Sequence, residues 1–327
     1  MFNKSCCFFE ANPHSNLLPP VLILEFILGS LGNGVALWGF CFQMRTWKPS
    51  TVYLFNLALA DFLLIICLPF RTDYYLRKKQ WIFGDFPCTL ALFMLAMNRA
   101  GSIFFLTLIA LDRYFKVVHP HHQINFITNG MAAGLACLVW VITITVTGYL
   151  LGKSHLEVSN STHCDSFTIC LASDAVWHDC LFLLEFFIPL IIILYCSFGV
   201  TWRLKQRQMD KKAKAHKAVK LMAAVGVVFI LCFLPSVATR VYILLVLACP
   251  KHLACDAFRS ADAVFYITIS LTYLNSMLDP LVYYFSNPLF RNLFQKHIVG
   301  KFNCQQGPKA DIKQVPEVTV SPSNCRL

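Results

Sequence analysis

The chain has 327 residues, of which 57% are hydrophobic and only 14% are charged. A single water-soluble domain of this length cannot bury so large an apolar fraction, so we expect the lipid bilayer to be its solvent. The formal net charge of +11 would indicate nucleic-acid binding only if it formed a basic face on a soluble domain, and the composition excludes that class of protein.

Seven apolar runs divide the chain. Each is near the ~20 residues that cross a ~30 Å hydrocarbon core as a helix, so the sequence predicts an all-α membrane protein with a seven-transmembrane helix bundle. The runs cover residues 19–42, 51–70, 86–111, 131–151, 179–202, 219–247 and 261–285. The predicted organisation is an extracellular N-terminus (1–18), a seven-transmembrane domain (19–285), a short amphipathic eighth helix on the membrane surface (286–303) and a disordered cytoplasmic tail (304–327).

Basic residues predict the orientation of the bundle. Between the fifth and sixth runs lie Arg203, Lys205, Arg207, Lys211, Lys212, Lys214, Lys217 and Lys220. Because cytoplasmic loops are enriched in Lys and Arg, we expect this segment inside the cell and the N-terminus outside, although Arg77, Lys78 and Lys79 weaken the bias. The predicted location is the plasma membrane, with the glycosylation acceptors Asn3 and Asn160 on the outer face.

Polar residues interrupt the apolar runs. A charged side chain at mid-bilayer costs about 2.5 to 3.5 kcal/mol on insertion scales, so Asp61 in the second run and Asp279 in the seventh need an explanation. Asn33 and Ser276 could simply hydrogen-bond neighbouring helices. The two carboxylates, with Asn275, instead predict a hydrated or cation-filled cavity, and a sodium ion near Asp61 is the candidate occupant.

The third run places two arginines at different depths. Arg99 lies 11 residues after Cys88, about 16 Å along a helix, and Arg113 lies 14 residues further, about 21 Å. Arg99 is therefore deep but accessible from outside, and the helical repeat turns both arginines into the bundle. A planar guanidinium gives two parallel charge-assisted hydrogen bonds to a carboxylate, so we expect an anionic ligand at Arg99.

A set of motifs, in order along almost the whole chain, resembles the rhodopsin-like (class A) G-protein-coupled receptors. The motifs are Gly32-Asn33, the segment 56–61, Asp112-Arg113-Tyr114, Trp140, Pro189, the segment 232–235 and the segment 279–283. The resemblance implies a heterotrimeric G protein as partner, with arrestin as a further candidate. It also implies that Arg113 contacts the G protein and is restrained at rest by Asp112, next to Tyr114.

Prolines and departures from the class pattern bear on switching. Pro189, Pro235 and Pro280 each remove an intrahelical hydrogen bond, giving kinks about which inner helix halves can swing; Asp279 and Tyr283 flank the last of them. Phe233 stands where the class usually has a tryptophan, Ser197 where it has a tyrosine, and the start of helix six offers no acid to hold Arg113. We therefore expect measurable basal signalling.

Shorter segments closely resemble the hydroxycarboxylic acid receptors, namely 68–75, 96–102, 117–122, 184–187 and 275–280. Arg71 and Arg240 make the lactate-responding member the nearest likeness. The resemblance implies that Arg99 anchors a small carboxylate agonist and that an inhibitory G protein lowers cyclic AMP. It also implies that Tyr273, Ser166, Phe167 and Thr268 supply polar contacts and a lid.

The charges of Arg71 and Arg240 would steer anions inward from the outer mouth. Alternatively, either side chain could reach the headgroups or pair with Asp73, Glu185 or Asp262. For Arg99 the alternative is a buried structural salt bridge, although its own helix provides no acid.

Outer cysteines complete the predicted site. If the family's pattern holds, Cys88 bridges Cys164, Cys6 or Cys7 reaches Cys170, and the other N-terminal cysteine reaches Cys255. These disulfides would hold the N-terminus as a cap over a small pocket.

Three other functions are alternatives to this prediction. The first is a receptor for oxidised fatty acids or other acidic lipids, and pocket volume would distinguish such a long acid from a short one. A carboxylate transporter would also use intramembrane Arg and Asp, but no internal repeat relates the halves of the chain. An enzyme is disfavoured because the sequence has no nucleophile–base constellation and no metal-ligand spacing.

Overall fold

The computed structural model describes most of the chain outside its two ends. The described residues are 6–7, 17–44, 46–152, 156–158, 162–167, 169–170, 175–206, 212–247, 255–286 and 290–291. The predicted amphipathic helix and tail, and the acceptors Asn3 and Asn160, therefore lie outside the described residues, apart from Ser286 and residues 290–291.

Long helices make up nearly all of the described chain, which confirms the predicted all-α class. They are α1 (Leu18–Trp38, ending in a π-helical turn Gly39–Gln43), α2 (Pro49–Leu76), α3 (Asp85–Val118), α4 (Asn129–Thr147), α5 (Ala175–Gln206), α6 (Lys212–Leu247), α7 (Cys255–Ser270) and α8 (Leu274–Ser286). Short 3-10 helices cover Gln123–Phe126, Gly148–Gly152 and Leu271–Tyr273. The last of these joins α7 to α8, so Cys255–Ser286 forms one helical segment, the seventh span.

Six helices among the described residues are each long and apolar enough to cross a membrane, and the broken seventh span follows them. The most apolar part of α3 is 72% buried, against 28% in α1, α4 and α5. The central helix is therefore α3, which packs against α2, α4, α5 and α6. Large apolar side chains such as Phe42, Ile191 and Phe198 are exposed on the outside of the bundle, where lipid would cover them.

Prolines lie inside four helices, at Pro69, Pro189, Pro235 and Pro280. Near Pro235, the Ser236 hydroxyl donates to the Phe233 carbonyl at 2.9 Å, and Thr239 donates to the Pro235 carbonyl at 2.9 Å. These two hydrogen bonds lie next to Pro235, whose missing N–H removes the helical donor of the carbonyl four residues earlier, that of Leu231.

Loop structure closes one end of the bundle, which we call the disulfide end because the Cys88–Cys164 disulfide lies there. Strands β2 (Leu156–Val158) and β3 (Thr162–Cys164) form an antiparallel pair. Strands β1 (Cys6–Cys7) and β4 (Ile169–Cys170) form another, in which Cys6 is paired with Cys170. This backbone register suits the predicted Cys6–Cys170 bridge, which stays a prediction. The opposite end, which we call the Arg113 end, carries Asp112-Arg113-Tyr114.

Candidate functional site

A small cavity lies at the disulfide end, between α2, α3, α5, the seventh span and the loop after Cys164. Its volume is about 70 Å³, far below the ~300 to 1,000 Å³ of a site for a drug-sized ligand. Five residues predicted for ligand binding line it, and two, Arg240 and Thr268, do not. The five are Arg71, Arg99, Ser166, Phe167 and Tyr273.

Arg99 is almost fully buried on α3 and forms a salt bridge to α5. Its Nη1 donates to Oε2 of Glu185 at 2.8 Å, and its Nη2 donates to the Phe182 carbonyl at 3.5 Å. Its guanidinium carbon also lies 3.7 Å from the centre of the Phe182 ring, a cation–π contact. Arg99 therefore forms a buried salt bridge, the alternative to a free ligand anchor, and the acid comes from the neighbouring helix α5.

Space remains beside this salt bridge. Arg99 and Glu185 both line the cavity, and no described residue accepts a hydrogen bond from Arg99 Nε. A buried donor without a partner costs about 1 to 3 kcal/mol, so this N–H is a point at which a ligand would gain binding energy.

Arg71 is buried as well, and it connects α2 to the loop that follows the disulfide. Its Nη1 donates to the Cys164 carbonyl at 2.9 Å, and its Nη2 donates to the Tyr75 hydroxyl at 3.1 Å and lies 3.7 Å from Oδ1 of Asp165. Burial and an acidic partner shield Arg71 from the medium, so a paired side chain replaces the outer steering charge, and its acid is Asp165 and not one of the three suggested from the sequence. Its Nε, like that of Arg99, lacks a partner among the described residues.

Arg240 requires the same correction. Its Nε donates to Oδ1 of Asp179 on α5 at 2.7 Å, and its side chain is only 3% exposed. The acids suggested as partners are engaged elsewhere: Asp73 pairs with Arg77, and Asp262 lies 4.0 Å from Lys79. Arg240 therefore joins α6 to α5 and does not face the medium as a free charge.

The lid residue Phe167 lies between the cavity and Arg240. The Arg240 guanidinium carbon is 5.0 Å from the centre of the Phe167 ring, which also packs on Phe182 and Phe265 at 5.1 Å each. The Tyr266 hydroxyl donates to the Phe167 carbonyl at 3.1 Å. Arg240 thus supports the lid. Thr268 on α7 contacts Thr239 of α6, with 2.9 Å between their hydroxyl oxygens.

The two arginines and two acids, Asp165 and Glu185, balance the charge around the cavity. An incoming carboxylate would therefore have to share a guanidinium with an acid or take the acid's place. Asp165 and Asp179 are not predicted as partners from the sequence, and Glu185, which is suggested for Arg71 or Arg240, pairs with Arg99 instead. The available signal was the position of Asp179 and Glu185 within an apolar run, and the adjacency of Asp165 to the predicted disulfide.

Asp61 lies at the centre of a fully buried polar core. Its Oδ1 accepts from Ser276 at 2.9 Å, Asn98 at 3.3 Å and Ser102 at 3.4 Å, and its Oδ2 accepts from Tyr283 at 3.1 Å. Tyr283 is also 3.0 Å from Asn33 Oδ1. The predicted residues Asn33, Asp61 and Tyr283 are therefore brought together. Asn98 and Ser102 are additions that sequence analysis missed.

Two more predicted core residues follow on α8. Both oxygens of the fully buried Asp279 carboxyl lack a hydrogen-bond partner among the described residues. The buried Asn275 amide, one turn earlier, has neither its oxygen nor its nitrogen satisfied by a described residue. Two buried carboxylates and an amide oxygen that no described residue uses are hard ligands that suit a small monovalent cation.

The Arg113 end holds the predicted switch residues. Arg113 Nε lies 3.6 Å from Oδ2 of Asp112, while Lys116 lies closer to Asp112, with 2.6 Å between Nζ and Oδ1. The Tyr114 hydroxyl is 3.2 Å from that of Tyr195 on α5. Phe233 is buried in the core, where its ring lies 5.3 Å from that of Phe229.

Comparison with known proteins agrees with this architecture. A family model described as 7 transmembrane receptor (rhodopsin family) matches residues 32–283. The chain is 53% identical over 323 residues to hydroxycarboxylic acid receptor 1 of Homo sapiens, covering 98% of this chain and 91% of the relative.

Two further human relatives match the chain, one at a similar identity and one at a lower identity. Hydroxycarboxylic acid receptor 3 is 55% identical over 326 residues, with 97% of this chain and 84% of the relative covered. Oxoeicosanoid receptor 1 is 39% identical over 299 residues, with 91% and 76% covered. The chain belongs to the hydroxycarboxylic acid receptors, within the rhodopsin family of seven-transmembrane, G-protein-coupled receptors.

Proposed function

We propose that this receptor recognises a small monocarboxylate of the hydroxycarboxylic acid class, with lactate as the type, in the cavity beside Arg99. One observation carries the proposal. A buried guanidinium lines a cavity of about 70 Å³ and has an Nε–H that no described residue satisfies. Only an anion with few non-hydrogen atoms suits both the charge and the volume.

The proposed binding mode is an exchange of carboxylates. The ligand carboxylate takes hydrogen bonds from Arg99, including the free Nε–H, and displaces Glu185 from Nη1. Arg71 also lines the cavity and presents a second Nε–H that no described residue satisfies, and Ser166 and Tyr273 supply hydroxyl groups for the ligand's own hydroxyl. Phe167 covers the ligand and is supported by Arg240, while the contact between Thr239 and Thr268 joins α6 to α7.

This exchange would also start the switch. The Arg99–Glu185 salt bridge joins α3 to α5, so a ligand that replaces it binds better where the two helices are less tightly held together. Such differential affinity is what shifts a receptor towards its active arrangement.

Asp112, Arg113 and Tyr114 form the proposed contact for a heterotrimeric G protein of the inhibitory class, which lowers cyclic AMP. Basal signalling stays a prediction.

The polar core would modulate this step. Asp61, Asp279 and Asn275 would hold a sodium ion, whose charge would offset that of two neighbouring carboxylates. Asn33 and Tyr283 hold Asp61 from the other side through their shared hydrogen bonds.

The proposed orientation puts the disulfide end outside the plasma membrane and the Arg113 end in the cytoplasm, where G protein and arrestin bind. The basic segment between α5 and α6 supports it through the enrichment of Lys and Arg in cytoplasmic loops. The ligand then reaches the cavity from the extracellular medium.

A receptor for oxidised fatty acids is the second candidate, because oxoeicosanoid receptor 1 of Homo sapiens is 39% identical. The lower identity and the small cavity both favour the short acid. Hydroxycarboxylic acid receptors 1 and 3 of Homo sapiens are 53% and 55% identical to this chain.

A ligand panel distinguishes the two. Cells expressing the receptor are treated with lactate, 3-hydroxybutyrate, nicotinate and a long-chain hydroxy acid, and cyclic AMP is measured with and without pertussis toxin. We expect a toxin-sensitive fall in cyclic AMP with a short acid and no response to the long one. A response to the long-chain acid alone would contradict the proposal.

A further inference from the structure

A second cavity lies at the Arg113 end, on the outside of the bundle between α2, α3, α4 and the 3-10 helix Gln123–Phe126. It has a volume of about 860 Å³ and shares no lining residue with the ligand cavity. We call it the α2–α4 groove. Its inner wall includes Leu108 and Leu111, and its α4 side includes Met131 and Leu138, which are 59% and 53% exposed. The groove therefore opens towards the acyl chains of the membrane.

Two lysines form the rim of the α2–α4 groove. Lys48, immediately before α2, is exposed, and none of the described acidic groups forms an ion pair with it. Lys116, near the end of α3, lies 2.6 Å from Oδ1 of Asp112 and donates to Ser50 at 2.7 Å. Asp112 also lines the groove, so the rim carries two lysines and one acid, a net positive charge, whereas the depth of the groove is apolar.

The dimensions match one leaflet of a bilayer. From Lys116 down to Leu108 on α3 is eight residues, or about 12 Å of helix rise. From Met131 to Leu138 on α4 is seven residues, or about 10 Å. Half of a ~30 Å hydrocarbon core is about 15 Å, so a headgroup at the lysines would leave its acyl chain in the apolar groove.

We propose that the α2–α4 groove binds one anionic phospholipid of the leaflet at the Arg113 end. The phosphate lies between Lys48 and Lys116, and one acyl chain runs along Leu108, Leu111 and Leu138. A soluble phosphate would satisfy the lysines and leave the apolar walls uncovered. A neutral lipid would fill the walls and leave Lys48 without an anion among the described residues. A basic pocket between transmembrane helices at a membrane surface is a recognised form of anionic-lipid site.

Binding there would act on the switch residues. Asp112 is shared between Lys116 and Arg113, at 2.6 Å and 3.6 Å. A phosphate on Lys116 competes with Asp112 for the same ammonium group. Lipid occupancy therefore changes which cation Asp112 holds, without any contact with the ligand cavity.

The test is site-specific crosslinking on the full-length receptor in phosphatidylcholine nanodiscs. A trace of phosphatidylserine with a photoreactive diazirine in its acyl chain is added, and crosslinked peptides are mapped. We expect crosslinks on α3 around Leu108–Leu111 and on α4 around Leu135–Leu138. Unlabelled phosphatidylserine should compete for these positions, and glycerophosphoserine, which has no acyl chain, should not.

Three variants test the cationic rim and the apolar depth of the α2–α4 groove separately. Lys48→Gln and Lys116→Gln should each lower crosslinking about fivefold. The matched control, Lys217→Gln with Lys220→Gln on α6 at the same end, should leave it unchanged. Gly134→Phe should block the acyl chain without changing charge, because nothing lies within 4 Å of a side chain's first atom there. Crosslinks that persist at these positions in the Lys48→Gln/Lys116→Gln variant, or that soluble headgroup removes, would overturn the proposal.

Discussion

The guanidinium of Arg99 and the carboxylate of Glu185 form a buried salt bridge between α3 and α5, with 2.8 Å between Nη1 and Oε2. Taking two charges out of water is costly, so such a pair is weak evidence for stability by itself. Because both residues line a small cavity, the salt bridge bears on ligand binding and not only on stability. Glu185 occupies the place on Arg99 that a ligand carboxylate would take.

The first prediction concerns Glu185. Glu185→Gln keeps the shape of the side chain and removes the competing charge, so we expect the potency of a small carboxylate to rise by about tenfold, the scale of one charge-assisted hydrogen bond. Cyclic-AMP dose–response curves measure this. The control is Asp73→Asn, an acid at the same end that pairs with Arg77 on the surface. A rise of equal size in the control would remove Glu185 as the competitor.

The second prediction concerns Arg71. Arg71→Gln should lower potency by at least about tenfold, because it removes a buried guanidinium that holds the loop at Cys164 and lines the cavity. Since the charge is buried, the loss should be the same at low and high ionic strength. Dose–response curves at two salt concentrations decide the matter, and a loss that shrinks at high salt would restore a steering role.

The third prediction concerns the lid support. Arg240→Gln leaves the buried Asp179 carboxylate without its partner and should lower stability by about 3 to 5 kcal/mol. The Arg240→Gln/Asp179→Asn double variant removes both charges and should recover part of that loss. Thermal unfolding of the purified receptor measures the three variants as a cycle. Additive effects of the two substitutions would show that the pair does not interact.

The sequence could predict the bundle because each membrane span requires a run of about 20 apolar residues. Seven apolar runs and three prolines within them correspond to helices of the structure, and polar residues at Asn33 and Asp61 mark the buried core. The helices α5 and α6 extend beyond their apolar runs because hydrogen bonding continues past the hydrocarbon into polar residues. Hydropathy does not report those ends.

The sequence could not predict the partners of the arginines. Helical periodicity shows that Arg99 faces inward, but which acid meets it depends on how α3 and α5 pack together. Asp165 and Asp179 likewise approach Arg71 and Arg240 only in the folded bundle. For that reason none of the three acids suggested for Arg71 and Arg240 is the acid that each of them contacts.

The fourth prediction concerns the packing of α1 on α8. A Cβ atom at Gly32 would lie 2.5 Å from Cγ of Pro280, closer than real contacts allow. Gly32→Ala should therefore destabilise the receptor by about 1 to 3 kcal/mol. The control is Gly34→Ala, two residues away, where nothing lies within 4 Å. Thermal unfolding should show a lower midpoint for the first variant only, and equal midpoints would refute the close contact.

Arg99 carries the central claim, and its removal alone would leave Glu185 as an unpaired buried charge. The informative comparison is therefore between Glu185→Gln and the Arg99→Gln/Glu185→Gln double variant, in which no charge is left unpaired. The measurement is direct binding of lactate to the two purified, folded receptors. We predict that the single variant binds and that the double variant shows no measurable binding. Equal affinity in the two variants would contradict the role of Arg99 as the carboxylate anchor.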